Sequence, residues 1–172
     1  MYVPSGEPRD RFVPPPGRLH RLHLIEYQGG LRLCEDATGL LIGPTDERLQ
    51  RAGLYVANLR GVTYYQAAAR QADLRPGQPL RLVLEPDNPH DAHAVGVYSN
   101  GGSGPIGYVN KQKARVWSRL IAEGAQLSAV SLKGTGPGVK CEAVAVLAAE
   151  PRVVAHLLSP RPASLPRPAF LQ

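Results

Sequence analysis

The sequence predicts a mainly β protein: a small, mostly antiparallel, barrel-like sheet with accessory helices, one of them long and amphipathic. Three observations point there. Short apolar runs alternate with polar residues and stand in pairs across glycine-rich turns, as in antiparallel hairpins. A single stretch, NKQKARVWSRLIAEG (110–124), has a helical apolar face with a cap at each end. The 17 prolines and 18 glycines among 172 residues require many turns, while 43 % apolar content still provides for one sizeable core.

In chain order, residues 1–18, with PPPG at 14–17, form a flexible Pro-rich N-terminus that cannot bury much surface. Residues 19–53 make an N-terminal extension. In it LHRLHLIEY (19–27) and LRLCED (31–36) pair across Gln28-Gly29-Gly30, and Asp46 caps a short helix closed by Gly53. A domain follows over 54–150. LYVANLRGV (54–62) reads as a strand, and PLRLVLE (79–85) as a half-buried one carrying Leu80, Leu82 and Leu84 on one face. AVGVYS (94–99) and PIGYVN (105–110) flank the turn Asn100-Gly101-Gly102-Ser103-Gly104. The helix comes next, with Asn110 as cap, Gly124 as stop, and Val116, Trp117, Leu120 and Ile121 facing the core. LSAVSLKG (127–134) and VKCEAVAVLA (139–148) close the sheet, and residues 151–172 form a Pro-rich C-terminal tail whose last part, from 159, is extended and mobile.

Composition limits the function classes. No apolar run approaches the ~20 residues of a membrane span, and MYVPSGEPRDRF lacks the apolar stretch of a secretory signal. Cys34 and Cys141 belong to no metal or disulfide framework, which suits a reduced cytoplasmic protein. Net charge is +6, mildly basic over 54–150 and at both ends, but −2 over residues 25–53. That balance is compatible with nucleic acid and sets residues 25–53 apart as a surface that nucleic acid would avoid.

Four groups of residues carry chemistry. The stretch EPDNPHDAHAVGVY (85–98) places Asp87, His90, Asp91 and His93 close together, ligands able to hold zinc or a hard cation. The spacing fits no calcium loop, and Pro86 and Pro89 exclude the helix of a HExxH site. Read as structure, it is a well-capped turn between strands, with His93 packing at the strand entry. Gly134 to Lys140 faintly resembles a phosphate loop, but Val139 precedes the lysine and a strand follows, so it reads as a hairpin turn. Lys111, Arg115 and Arg119 make one basic stripe on the helix, either a solvated face or a phosphate seat near the helix N-terminus, with Lys113 snorkelling at the edge of the apolar face. Tyr64 and Tyr65 end a strand, one ring facing the core and the other free to stack a base.

Taken in order, Gly61-Val62-Thr63-Tyr64-Tyr65, LRLVLEPDNPHDAHAVGV (80–97) and PIGYVNKQKARVWSRLIAEG (105–124) resemble the HIRAN domain. That module stands at the N-terminus of helicase-like transcription factor and related repair ATPases, and alone in bacteria. The signature E-P-x-N-P-x-D-x-x-A-[VI]-x-V, then G-[YH]-[VIL] and a helix, is met by Glu85, Pro86, Asn88, Pro89, Asp91, Ala94, Val95, Val97, Gly107, Tyr108 and Val109. The resemblance covers residues 54–148 and implies an OB-like barrel that captures the 3′ end of single-stranded DNA. It implies Tyr64 as a base-stacking ring, Asp91 as the acceptor for the terminal 3′-hydroxyl with Asn88 on the same turn, and Lys111 as a phosphate contact. Tyr108 stands where a histidine holds the backbone; Tyr65, His90 and Arg115 complete the DNA-binding set. Thr63 replaces an arginine of the eukaryotic pattern, His90 a tyrosine, and Val139 lies near a further aromatic.

The expectation is a non-enzymatic DNA-binding module without cofactor, working in repair or replication beside a helicase, nuclease or other repair protein. Two alternatives stay open at this point. One is a protein-interaction module on the same barrel; the other is a metal-dependent hydrolase built on Asp87, His90, Asp91 and His93.

Overall fold

The computed structural model describes residues 21–169, so the expectation for residues 1–18 lies outside the described residues. Among the described residues nine strands and four helices follow one another. They are β1 (Leu22–Tyr27), β2 (Gly30–Glu35), β3 (Leu41–Ile42), α1 (Glu47–Arg51), β4 (Tyr55–Arg60), α2 (Gln66–Gln71), β5 (Pro79–Leu84), β6 (Val95–Ser99), β7 (Pro105–Val109), α3 (Lys111–Ala122), β8 (Ser128–Lys133), β9 (Ala145–Ala149) and α4 (Pro151–Leu158). Strands β4-β7-β6-β5-β8-β9 close an antiparallel barrel, and β1-β2-β3 form a separate three-stranded sheet. The class is the mainly β, OB-like one that the sequence predicts.

Strands β8 and β9 explain how the two sheets become one body. Val146 and Ala148 face a core inside the barrel with Val95, Val97, Ile106 and Trp117. Leu147 and Ala149 face a second core with Leu22, Leu33, Val130 and Leu157. Successive strand residues point to opposite faces, so a strand buried on both sides must be apolar throughout. The run AVLAA satisfies this. Gly30 lets β2 approach β8 closely: a Cβ there would lie 2.8 Å from the Leu132 carbonyl oxygen.

Helix α3 begins and ends where its caps dictate. The Asn110 side chain accepts from the Lys113 N–H. At the other end Gly124 takes φ +99, and the Gly124 and Ala125 amides donate to Ile121 and Leu120, a Schellman closure. These stops leave 12 residues, three turns rather than a long helix, beside three shorter ones among the described residues. Trp117 is buried against the edge of Tyr55, whereas Val116, Leu120 and Ile121 are half-buried. Lys111, Arg115 and Arg119 line the exposed face.

Three further expectations change, and two elements are added. The strand over 54–62 stops at Arg60, because Gly61 turns the chain with φ +79. Gly134 to Lys140 is not a tight hairpin turn. Segment 134–144 leaves the sheet to bind the Leu74 amide through Thr135 and the Arg70 carbonyl through Gly138, so β9 starts only at Ala145. Helix α2 was hidden in the sequence by its lack of any large apolar residue, and β3 by its two-residue length. The C-terminal segment is not simply a tail. Pro151 sits in the first turn of α4, where a missing N–H is harmless, and Val153, Val154 and Leu157 are buried. Beyond it, Arg161 reaches Asp36 and the Ala169 amide donates to the Gly39 carbonyl. No helix among the described residues is long and apolar enough to cross a membrane.

Candidate functional site

The site is built where β4, β6 and β7 meet the turn after β5. The turn from Gly61 to Tyr65 is tight, with the Tyr64 and Tyr65 amides both donating to the Gly61 carbonyl at 2.9 and 3.1 Å. The two tyrosines therefore lie on a turn leading into α2 rather than on a strand. The separation of roles still emerges: Tyr64 is 83 % exposed and Tyr65 half-buried. Their rings meet edge to face at 4.8 Å, and Tyr65 contacts the Tyr108 ring at 5.6 Å. Three rings thus run from solvent to the barrel wall.

The turn after β5 holds itself together. Asn88 Oδ1 accepts from the His90 and Asp91 amides at 2.9 and 3.3 Å, and Asp91 Oδ1 accepts from the His93 amide at 2.8 Å. Such Asx hydrogen bonds suit a turn where Pro86 and Pro89 fix φ and remove donors. Asp91 Oδ2 has no partner among the described residues, so half of this carboxylate is free to accept a hydrogen. Asn88 is largely occupied by the turn, its Nδ2 donating to Glu85 Oε2 at 3.0 Å.

Glu85 joins the turn to the rings. Its Oε1 and Oε2 accept from the Tyr108 hydroxyl at 3.1 and 2.9 Å, and Oε1 from Tyr98 at 3.3 Å. Burial first, then the hydrogen bond to Glu85, pushes the Tyr108 phenol well above its ordinary range. Burial also raises Tyr98, with the Glu85 charge adding to it. Gly96, opposite Tyr108 in the β6–β7 register, makes room for the cluster. A Cβ there would lie 2.9 Å from Glu85 Oε1 and 3.1 Å from the Tyr98 ring.

Of the residues predicted from sequence, the fold brings Tyr64, Tyr65 and Tyr108 into ring contact and holds Asn88, His90 and Asp91 on one turn. Lys111 and Arg115 are exposed on α3, which starts just after β7, and neither side chain makes a hydrogen bond or ion pair among the described residues. His93 does not pack at the strand entry; it is exposed, because β6 begins only at Val95. Among the described residues no group of three or more His, Cys, Asp or Glu side chains gathers as a metal site would. Asp87, His90, Asp91 and His93 therefore share a turn without converging. Sequence reasoning missed Glu85 as a hub, and it missed Arg60, an exposed cation paired with Tyr108 across β4 and β7. The register of the Asn100–Gly104 hairpin, which sets Tyr108 opposite Gly96, was the available signal for the first.

Comparison with solved structures finds similar folds. The crystal structure of the HIRAN domain of human HLTF is 16 % identical at a TM-score of 0.45, with 61 % of this chain and 83 % of that one covered. A Lactobacillus plantarum protein is 18 % identical at a TM-score of 0.43, over 55 % of this chain and 92 % of that one. The NMR structure of the HLTF HIRAN domain in its DNA-bound conformation is 18 % identical at 0.40, over 61 % and 82 %. Comparison with curated proteins gives no match. The HIRAN domain family model matches residues 52–146, more than half of the sequence and the whole of the site just described. On that match, the chain belongs to the HIRAN domain family.

Proposed function

We propose that this chain is a non-catalytic module that binds single-stranded DNA and takes its 3′-hydroxyl end on the turn after β5. The observation that carries the reading is the exposed Tyr64 ring at the end of a ring series whose other end is tied, through Glu85, to the Asp91 turn. A base stacks on Tyr64, and the free Asp91 oxygen accepts from the terminal hydroxyl. A carboxylate repels a terminal phosphate, so blocked ends and internal positions are refused. Asn88 acts by holding the turn, and its rigidity lowers the ordering cost of binding. Lys111 and Arg115 take phosphates, with Arg60 supplying the cation that Thr63 does not. Tyr65 and Tyr108 support the stacking ring, and the exposed His90 ring offers a second surface. Any repair or replication chemistry comes from a partner such as a helicase or nuclease.

The test compares fluorescent single strands ending in 3′-hydroxyl or 3′-phosphate, with wild type and Asp91→Ala. Wild type is expected to prefer the hydroxyl end, and Asp91→Ala to lose that preference while keeping phosphate-driven affinity. Equal binding of both ends by wild type would refute end recognition. Affinity that does not fall steeply with rising salt would refute DNA binding itself and favour the protein-interaction reading.

A further inference from the structure

A cleft of about 320 Å³ opens between the N-terminal sheet and the barrel, within the range of small-ligand sites. The hairpin of β1 and β2 contributes Tyr27 and Arg32, the barrel Asn58 and Lys133, and α3 Lys113. Ile42, Val56 and Leu132 make an apolar floor. Among the described residues three cations line this space and no acid does, although residues 25–53, which supply Arg32, carry a net −2. The fold explains the reversal. Glu35 and Asp36 are buried and engaged with Thr38, His23 and Arg161. Asp46 is paired with Arg48 at 2.8 Å, and with Glu47 lines a smaller adjoining cavity that shares Lys113.

Lys113 is the unusual member. Its half-buried ammonium donates to the Val56 carbonyl, and among the described residues it has no counter-ion. An ammonium has three donors, and burial pulls its pKa below the ordinary lysine value. A partly desolvated cation hydrogen-bonded to a carbonyl, with no ion pair among the described residues, is stabilised by an anion beside it. The Arg32 guanidinium lies 5.5 Å from the Tyr27 ring centre, which fixes a second cation at the rim.

We propose that this cleft binds a small phosphate ester, of mononucleotide size, with the phosphate among Lys113, Lys133 and Arg32. A phosphate monoester carries close to two negative charges at neutral pH, which suits three cations better than a single carboxylate does. The apolar floor and Tyr27 receive a flat organic remainder, and the Asn58 amide can hydrogen-bond to it. Tyr27 and Arg32 lie outside the matched residues 52–146, whereas Asn58, Lys113 and Lys133 lie inside them, so the site is completed by this chain's own extension, and none of its residues belongs to the Asp91 turn.

Calorimetric titration of the full chain with adenosine 5′-monophosphate, and separately with adenosine, tests the proposal. One molecule of the monophosphate is expected to bind, at least about tenfold more tightly than adenosine. Lys133→Gln and Arg32→Gln should each weaken it by up to about tenfold, with binding of 3′-hydroxyl oligonucleotides unchanged. Lys113→Met should weaken it too, its fold checked by circular dichroism. No binding of the monophosphate, equal binding of adenosine, or indifference to both Lys133→Gln and Arg32→Gln would overturn the proposal. So would displacement of the monophosphate by a saturating 3′-hydroxyl strand, which would place it in the strand-end site.

Discussion

The Tyr108 hydroxyl sits 2.9 and 3.1 Å from the two oxygens of Glu85. That one contact connects the three-ring series to the Asn88 turn, because Asn88 donates to the same carboxylate. Hydrogen bonds to a charged group contribute about 1.5–3 kcal/mol each, less where water can replace the partner. Glu85→Ala is therefore expected to lower unfolding free energy by about 1–3 kcal/mol in urea titration. Glu85→Gln keeps the shape but turns one acceptor into a donor against two phenols, and should fall between. Both should weaken strand-end binding, though Glu85 need not touch the strand.

Alkaline pH tests the same contact. The Tyr108 phenol is raised in the folded chain by burial and by Glu85, so the folded state holds its proton when the unfolded state releases it. The contribution to stability is complete below the ordinary phenol value of about 10 and falls as pH rises toward the folded value. Tyr108→Phe should remove that part of the alkaline loss and delete a late step from the tyrosinate absorbance titration. Loss of an ordinary phenol step at about 10 instead of a late one would mean that the phenol is not held by Glu85.

Away from this cluster in sequence, Asp36 holds the N-terminal sheet to the C-terminal segment. It contacts His23 Nδ1 at 2.8 Å and Arg161 Nε at 3.3 Å, with all three side chains nearly buried. Removing one partner of a buried charged group strands the other. Asp36→Ala should cost roughly 3–5 kcal/mol in chemical denaturation. Removing residues from 160 onward should also destabilise the chain, which a mobile tail would not.

For Tyr64→Ala the expected loss of strand affinity is about 1–3 kcal/mol by fluorescence anisotropy, with stability nearly unchanged because the ring is exposed. Tyr64→Phe should keep most of the affinity, since stacking uses the ring and not the hydroxyl. A large fall in stability for Tyr64→Ala would assign the ring to packing.

Local patterns were enough for much of this. Alternation located β5, the glycine-rich turn Asn100–Gly104 located β6 and β7, Asn110 and Gly124 bounded α3, and the prolines of 85–98 required a rigid turn, since each of these follows from neighbours in the chain. The segment 151–158 and the loop 134–144 resisted such reading. Their positions depend on partners far away in sequence, Leu22 for α4 through His156, and Leu74 and Arg70 for the loop.

What the sequence determined by itself was the barrel class, the family signature, and the identity of the turn carrying Asn88 and Asp91. Tertiary structure alone decided that Glu85 binds Tyr98, Tyr108 and Asn88 together. It also decided that Arg32, from an extension with a net acidic count, shares a cleft with Lys113 and Lys133 and with no acid among the described residues. The physical reason is the same for both. Charge and hydrogen-bonding capacity are counted per residue in a sequence, but their effect depends on which groups burial has already paired.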